Sequence, residues 1–386
     1  VSSVSQETAS PAASDRPLAA RLALGALKVV GLVVYTLLFA ELFIRLVVHQ
    51  PILPRYVTDT PWGVRGNIPN ARFWQRTSEV TAAFHYNSQG MRDDRVFPLA
   101  KPAGVCRVAL FGDSYFAGFE LKYPDTYAHR LEEALRQRGY KVEVLNFAVS
   151  GFGTAEHNRT YEGFARKFSP DLVLYEWHLT DFDDNVRSGL YRLKDGQLQP
   201  GGATFLPSIS VQNKLMKSSA YRFLADNSQL YNFLRENLAR YAKRALKVVN
   251  AKAAGDEEGG GAGNLGAAVY AKASPYAVSL SQALLDQAKA SAARDGAGFY
   301  VMEIPRPVSR TQFEPSITQM SPQFLGTLNL IQPTPQLTAA GRPDRKLYLE
   351  HGAQHLSPDG VGVILAASLD RIASDPRLQR CHGDPS

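Results

Sequence analysis

Residues 107–118 read RVALFGDSYFAG. An apolar run, RVALF, passes straight into Gly112-Asp113-Ser114. Such a run, bounded by a turn signal, is what a strand buried on both faces of a parallel sheet looks like. Outward from it, the pattern alternates between strand and helix. Tyr127, Leu131 and Leu135 repeat at helical spacing in YAHRLEEALRQR (127–138), and Gly139 is a stop signal. KVEVLNFAV (141–149) predicts a second strand. TAEHNRTYEGFARKF (154–168) predicts a helix capped by its leading Thr154, and DLVLYEW (171–177) a third strand. Downstream, residues 280–295 are helical and GFYVMEIP (298–305) is a fourth strand. A closing helix covers 357–373, with Ser357 as N-cap and Pro358 in the first turn. Strands alternating with helices imply a parallel sheet covered on both faces, and ligands of such α/β folds bind outside the carboxyl ends of the strands.

That rule selects the residues able to carry chemistry. Ser114 falls just past the first strand. Gly112 permits the tight turn, and Ser114 is expected to open a helix whose N–H groups can hold an oxyanion. A bare Gly-Asp-Ser is weak, and its placement after a strand is what gives it weight. Gly151 and Gly153 lie in the loop after the second strand, where a glycine lets backbone N–H approach a ligand. A plain tight turn needs the same residues. His355, in HLSPDG (355–360), lies two residues before a helix N-cap. A serine nucleophile needs a base within hydrogen-bond reach, and imidazole suits neutral pH. A lone histidine is more often structural, so its setting is its only credential.

In this order the blocks resemble the SGNH, or GDSL-type, hydrolase superfamily, over roughly residues 107–373. The approach segment YNSQGMRD (86–93) and an N-terminal segment ending ELFIRL (41–46) resemble those of membrane-anchored bacterial members. The resemblance implies a flavodoxin-like three-layer α/β sandwich. It makes Ser114 the nucleophile and an oxyanion N–H donor, Gly151 a second donor and His355 the base. The third block, normally Gly-x-Asn-Asp, maps to HLTD (178–181), so the oxyanion asparagine falls on Thr180. His178 ends the third strand at the same rim, as a partner of substrate or of Thr180, or as a plain polar residue. The last block normally carries an aspartate three before the histidine, where this chain has Gly352. Two ways of orienting His355 remain: Glu350, five residues before it, if the loop bulges, or a backbone carbonyl in a Ser–His dyad. The implied activity is that of a serine esterase or O-acyltransferase acting on acyl, above all acetyl, esters, such as those of a cell-surface or exported polysaccharide. No cofactor or metal is expected. The alternative is a catalytically weak or inactive SGNH-fold protein of binding or assembly. Within this topology Cys106 begins the first strand and Cys381 follows the closing helix, so a disulfide between them is expected.

Bulk composition agrees with a globular α/β chain. Of 386 residues, 45% are hydrophobic and 20% charged, and the net charge is +7. The basic residues are dispersed, without the clustered footprint that nucleic-acid binding requires. Two cysteines and no Cys/His cluster argue against structural zinc. The aspartates of TDFDDN (180–185) lack cation-loop spacing, and helix capping and loop hydrogen bonding are the expected roles.

At the N-terminus, residues 1–17 are rich in Ser, Ala and Pro and are expected to be disordered. A membrane anchor is expected over 18–48. Leu22–Val48 spans 27 residues charged only at Lys28, Glu41 and Arg45. As helix it would reach roughly 40 Å, enough for a hydrocarbon layer of about 30 Å. A signal peptide and a buried soluble helix are the other readings. Arg16, Arg21 and Lys28 precede the apolar stretch, placing the N-terminus in the cytoplasm and the rest outside a bacterial inner membrane. Residues 49–104 predict a small irregular, partly β approach segment, 105–376 the α/β domain and 377–386 a tail. An insertion at 186–275 holds a hairpin (YRLKDGQLQPGG), helical material that is either a lid or an extra helical layer, and a flexible Gly-rich loop at 253–266.

Overall fold

The computed structural model describes residues 18–48, 55–77, 79–202, 206–253, 255, 272–350 and 354–383. The expected tail at 1–17 and nearly all of the Gly-rich loop lie outside these residues. The chain forms two units, residues 1–49 and 50–386.

The first unit is one helix, α1 (Leu18–Val47). Most of its apolar side chains are exposed, Leu22, Leu32 and Leu38 being each 66% exposed. Glu41 and Arg45, one turn apart, pair at 2.6 Å. Within residues 19–47 an 18-residue stretch reaches a mean hydropathy of 2.2, so by length and composition the helix can cross a membrane.

The second unit is built on five parallel strands: β1 (Cys106–Phe111), β2 (Val142–Asn146), β3 (Leu172–Trp177), β4 (Gly298–Glu303) and β5 (Leu330–Ile331). Their spatial order is β5-β4-β3-β1-β2. This is the flavodoxin-like order, with its switch point between β1 and β3. The first four strands are those expected. The fifth is a two-residue edge, too short to announce itself by periodicity.

Alternate residues of β1 enter two cores. Val108 and Leu110 pack with α2 (Tyr127–Gln137) and the closing helix, while Ala109 and Phe111 pack with α3 (Thr154–Gly163), α4 (Thr180–Ser188) and a long helix downstream. The insertion supplies the expected hairpin, Tyr191–Lys194 with Gln197–Pro200. It then adds helices that include α5 (Gln229–Ala253). α5 lies against α4: Lys247 pairs with Asp183 at 2.8 Å, and Asn250 donates to the Arg187 carbonyl at 2.8 Å. The downstream helix is α6 (Pro275–Arg294), and the closing helix is α7 (Pro358–Ala373). Ser357 caps α7 by accepting from the Gly360 N–H.

Three boundaries differ from expectation. The cap of α3 is Gly153 rather than Thr154, because the Asn185 amide oxygen accepts the Ala155 N–H at 2.9 Å and the Glu156 carboxylate accepts the Gly153 N–H at 3.1 Å. The approach segment does not stand apart: Phe84 and Tyr86 enter one core, Val64 and Met91 the other. Nor do residues 377–383 hang free. Leu378 is fully buried, and Cys381 is disulfide-bonded to Cys106 with Cα atoms 5.8 Å apart, as the topology implied.

Candidate active site

β1 delivers Ser114 to the carboxyl edge of the sheet, but no helix starts there. The chain instead coils through tight turns over residues 114–121. The Ala117 N–H donates to the Asp113 carbonyl and the Phe119 N–H to the Ser114 carbonyl, at 3.0 and 2.9 Å. Gly118 (φ +71°) and Glu120 (φ +61°) both take left-handed backbone. At Gly118 a side chain is excluded as well, since a Cβ would lie 2.5 Å from Thr126 Cγ2 and 2.7 Å from Arg92 Nη1.

This coil folds Glu120 back toward its own serine. Ser114 Oγ is 2.8 Å from His355 Nε2, and His355 Nδ1 is 2.7 Å from Glu120 Oε2. A carboxylate only accepts, so His355 carries its proton on Nδ1 and presents Nε2 as acceptor to the Ser114 hydroxyl. The histidine and glutamate side chains are buried, 8% and 3% exposed, so water does not compete for their contact. The Tyr115 ring meets His355 edge-on, with centroids 5.3 Å apart.

The carboxylate at His355 is thus Glu120, and Glu350 is engaged elsewhere. The Glu350 carboxylate lies at the surface, paired with Arg310 and with Lys346, and these two cations hold it below the usual carboxylate range. A backbone carbonyl does not orient His355 either. Glu120 has two supports of its own. Its N–H donates to Gln75 Oε1 at 2.7 Å, from a buried glutamine in the hairpin Arg72–Arg76/Thr81–His85. Arg92, of the approach motif, donates to the carbonyls of Ala117, Gly118 and Leu121 and lies 3.5 Å from the centre of the Phe84 ring. The signal available in the sequence was an acidic residue inside the otherwise apolar run YFAGFEL. What hid it was the coil, which depends on tertiary contacts 45 residues away in the chain.

The donors expected of an oxyanion hole are open. Neither the Ser114 N–H nor the Gly151 N–H donates to any described residue. The loop of Gly151 is tied to the nucleophile turn, because the Val149 N–H donates to the Gly112 carbonyl at 3.0 Å. Gly151 has φ +73°, and its carbonyl accepts from Arg65 at 2.8 Å and Arg187 at 3.0 Å, which fixes its peptide plane. Thr180 opens α4. Its hydroxyl is 3.0 Å from His178 Nδ1, and its N–H points at the same nitrogen at 3.4 Å. With Nδ1 the acceptor, neutral His178 holds its proton on Nε2. Burial lowers the His178 pKa, which favours that neutral form.

Beneath the turn, Glu176 at the end of β3 accepts the N–H groups of Asp113 and Phe116, at 3.0 and 3.2 Å. Burial, and then the neighbouring Asp113, push its pKa well up. Asp181 accepts the His178 N–H at 3.3 Å, a loop hydrogen bond as expected, but α4 has no side-chain cap, and Asp183 and Asp184 instead pair with Lys247 and Arg187. Among the described residues no group of acids, histidines and cysteines is arranged to hold a metal.

A five-stranded 2-1-3-4-5 parallel sheet, with the serine block after β1 and the histidine block before the closing helix, is the flavodoxin-like α/β arrangement that the resemblance implied. Solved structures similar to the chain include esterases and lipolytic proteins. They include a lipase/acylhydrolase from Enterococcus faecalis (12% identity, 69% of this chain and 95% of that one, TM-score 0.35). Another is a putative lipolytic protein of the G-D-S-L family from Desulfitobacterium hafniense DCB-2 (8%, 68% and 98%, TM-score 0.32). A third is AlinE4, an SGNH-hydrolase family esterase (15%, 71% and 97%, TM-score 0.30). No protein-family model and no curated protein sequence matches the chain.

Proposed function

We propose that the chain is a serine carboxylic-ester hydrolase or O-acyltransferase, anchored by α1 with its α/β domain on the outer face of a bacterial inner membrane. The observation that carries the catalytic reading is the continuous hydrogen-bonded relay Ser114–His355–Glu120. Ser114 Oγ attacks the acyl carbonyl carbon while its proton passes to His355 Nε2. Glu120 accepts the Nδ1–H bond throughout and stabilises the imidazolium so formed. The oxyanion takes hydrogen bonds from the Ser114 and Gly151 N–H groups, and the third donor comes from the Thr180–His178 pair. Collapse expels the alcohol, which leaves with the proton from Nε2. Water, or a second hydroxyl in the transferase case, then repeats the sequence on the acyl-enzyme.

The inactive-scaffold alternative drew its force from Thr180 in the asparagine's place and from the missing aspartate, and Glu120 at His355 supports the catalytic reading on the second count. An acetyl ester of a surface or exported polysaccharide is the substrate this reading favours, since an anchored outer domain meets such polymers. The disulfide supports an oxidising compartment. The test is hydrolysis of a chromogenic acetyl ester by the full chain and by Ser114→Ala. Loss of activity in the variant is expected, and equal rates would end the assignment.

A further inference from the structure

Three cationic side chains converge on the Gly151 turn, which belongs to the same rim as Ser114. Arg65 and Arg187 both donate to the Gly151 carbonyl. A Cβ built on Gly151 would lie 3.5 Å from Arg65 Nη2 and 4.0 Å from Lys243 Nζ. Lys243 owes its place to α5. It stands one turn before Lys247 and two before Asn250, so the contacts that dock α5 on α4 also aim Lys243 at the turn. The carboxylates nearby are committed. Asp184 pairs with Arg187 at 2.8 Å, and Glu156 accepts the Gly153 N–H. The Lys243 ammonium forms no hydrogen bond or ion pair with any described residue. Burial, then Arg187 and Arg65, bring its pKa down to about 8 against the pull of Asp184 and Glu236, so it remains a cation at neutral pH without a direct ion-pair partner among the described residues.

Beside this cluster is a cavity of about 300 Å³, lined by Arg65 together with Trp62, Asn67, Val149 and Thr160. Trp62 Nε1, Asn67 Oδ1 and Thr160 Oγ1 are buried and have no hydrogen-bond partner among the described residues. Buried polar groups are ordinarily satisfied, so three orphans on residues lining one cavity, which Arg65 joins to the Gly151 turn where Lys243 stands, describe a place for a hydroxylated anion.

We infer that the substrate is an anionic sugar ester, whose carboxylate or phosphate is received by Lys243 and Arg65 beside Gly151 while its acyl group meets Ser114. This inference rests on the esterase reading and assigns a role to the insertion: α5 brings a substrate-binding cation to the catalytic rim.

The experiment compares three O-acetylated sugars with the full chain: methyl galacturonoside, its uncharged methyl ester, and glucose 6-phosphate. The kcat/KM for the charged acetates should exceed that for the methyl ester by about tenfold or more, as expected when a half-buried cation gains an ion-pair partner. In Lys243→Ala that ratio should collapse toward one, and in Lys243→Arg it should persist. The carboxylate and phosphate arms tell which anion the site takes. A ratio of one in the wild type, or an unchanged ratio in Lys243→Ala, overturns the inference. Calorimetric binding of the same sugars to Ser114→Ala reads the preference without catalysis. Thus charge-selective binding with no turnover by the wild type would sink the esterase reading alone, and equal binding of charged and neutral sugars would sink the subsite.

Discussion

A buried carboxylate is costly unless its charge is answered, and Glu120 is answered by the imidazole it orients. Glu120→Gln leaves size and shape intact but lets the amide N–H face Nδ1, which permits the wrong tautomer. We expect kcat on a chromogenic acetyl ester to fall on the order of a thousand- to ten-thousand-fold, with little change in KM. Glu350→Gln is expected to stay within about twofold of the wild type in the same assay, since surface ion pairs contribute little. The two variants separate the acid found in the structure from the one the sequence offered by proximity to His355. Ser114, His355 and Gly151 were legible because each sits at a strand end or before a helix cap. Glu120 was not, because its position depends on left-handed backbone at residues 118 and 120, and on a hydrogen bond from a distant hairpin. Thr180 was legible as a departure, but its engagement by His178 was not.

At the scale of elements, the approach hairpin and the nucleophile turn act as one piece. Arg92 holds three turn carbonyls, and Gln75 holds the Glu120 N–H. Gln75→Leu keeps the side chain's bulk and removes that acceptor. It should reduce kcat by about tenfold or more, and lower stability by about 1–3 kcal/mol for the unsatisfied N–H, read by denaturant titration. The cap of α3 carries a pH signature. Burial pushes Glu156 up to about 7 from an ordinary 4.5. The folded chain then binds more protons than the unfolded chain between those values. The stabilising contribution is fully present below about pH 4.5 and is lost as pH rises through 7. Glu156→Gln, which cannot ionise, should therefore gain stability relative to the wild type from pH 4.5 to 8, by up to on the order of 3 kcal/mol, measured as the difference in Tm across that range. The four longer strands, β1 to β4, were readable from apolar runs. The hairpins of 55–85 were read only as irregular β, because their buried residues are divided between two cores.

For the whole molecule, one disulfide joins the start of the sheet to the end of the chain across 275 residues. Cross-linking so long a loop constrains the unfolded chain, by up to about 5 kcal/mol on the chain-entropy account. Paired Cys106→Ala and Cys381→Ala substitutions should cost about 2–5 kcal/mol by denaturant titration, and free-thiol labelling of the unreduced protein should find neither cysteine. The pairing could be argued from topology once the closing helix was placed beside β1. The fifth strand and the ordered residues 377–383 could not, because neither carries a periodic signal.

The account stands on Ser114 being a nucleophile activated through His355 by Glu120. The most direct test is the rate and position of labelling by a serine-directed phosphonate, read by mass spectrometry of the intact chain and its peptides. We predict stoichiometric labelling at Ser114 in the wild type, slowed at least about a hundredfold in Glu120→Gln. Labelling at another residue, or equal rates in the two proteins, would contradict it.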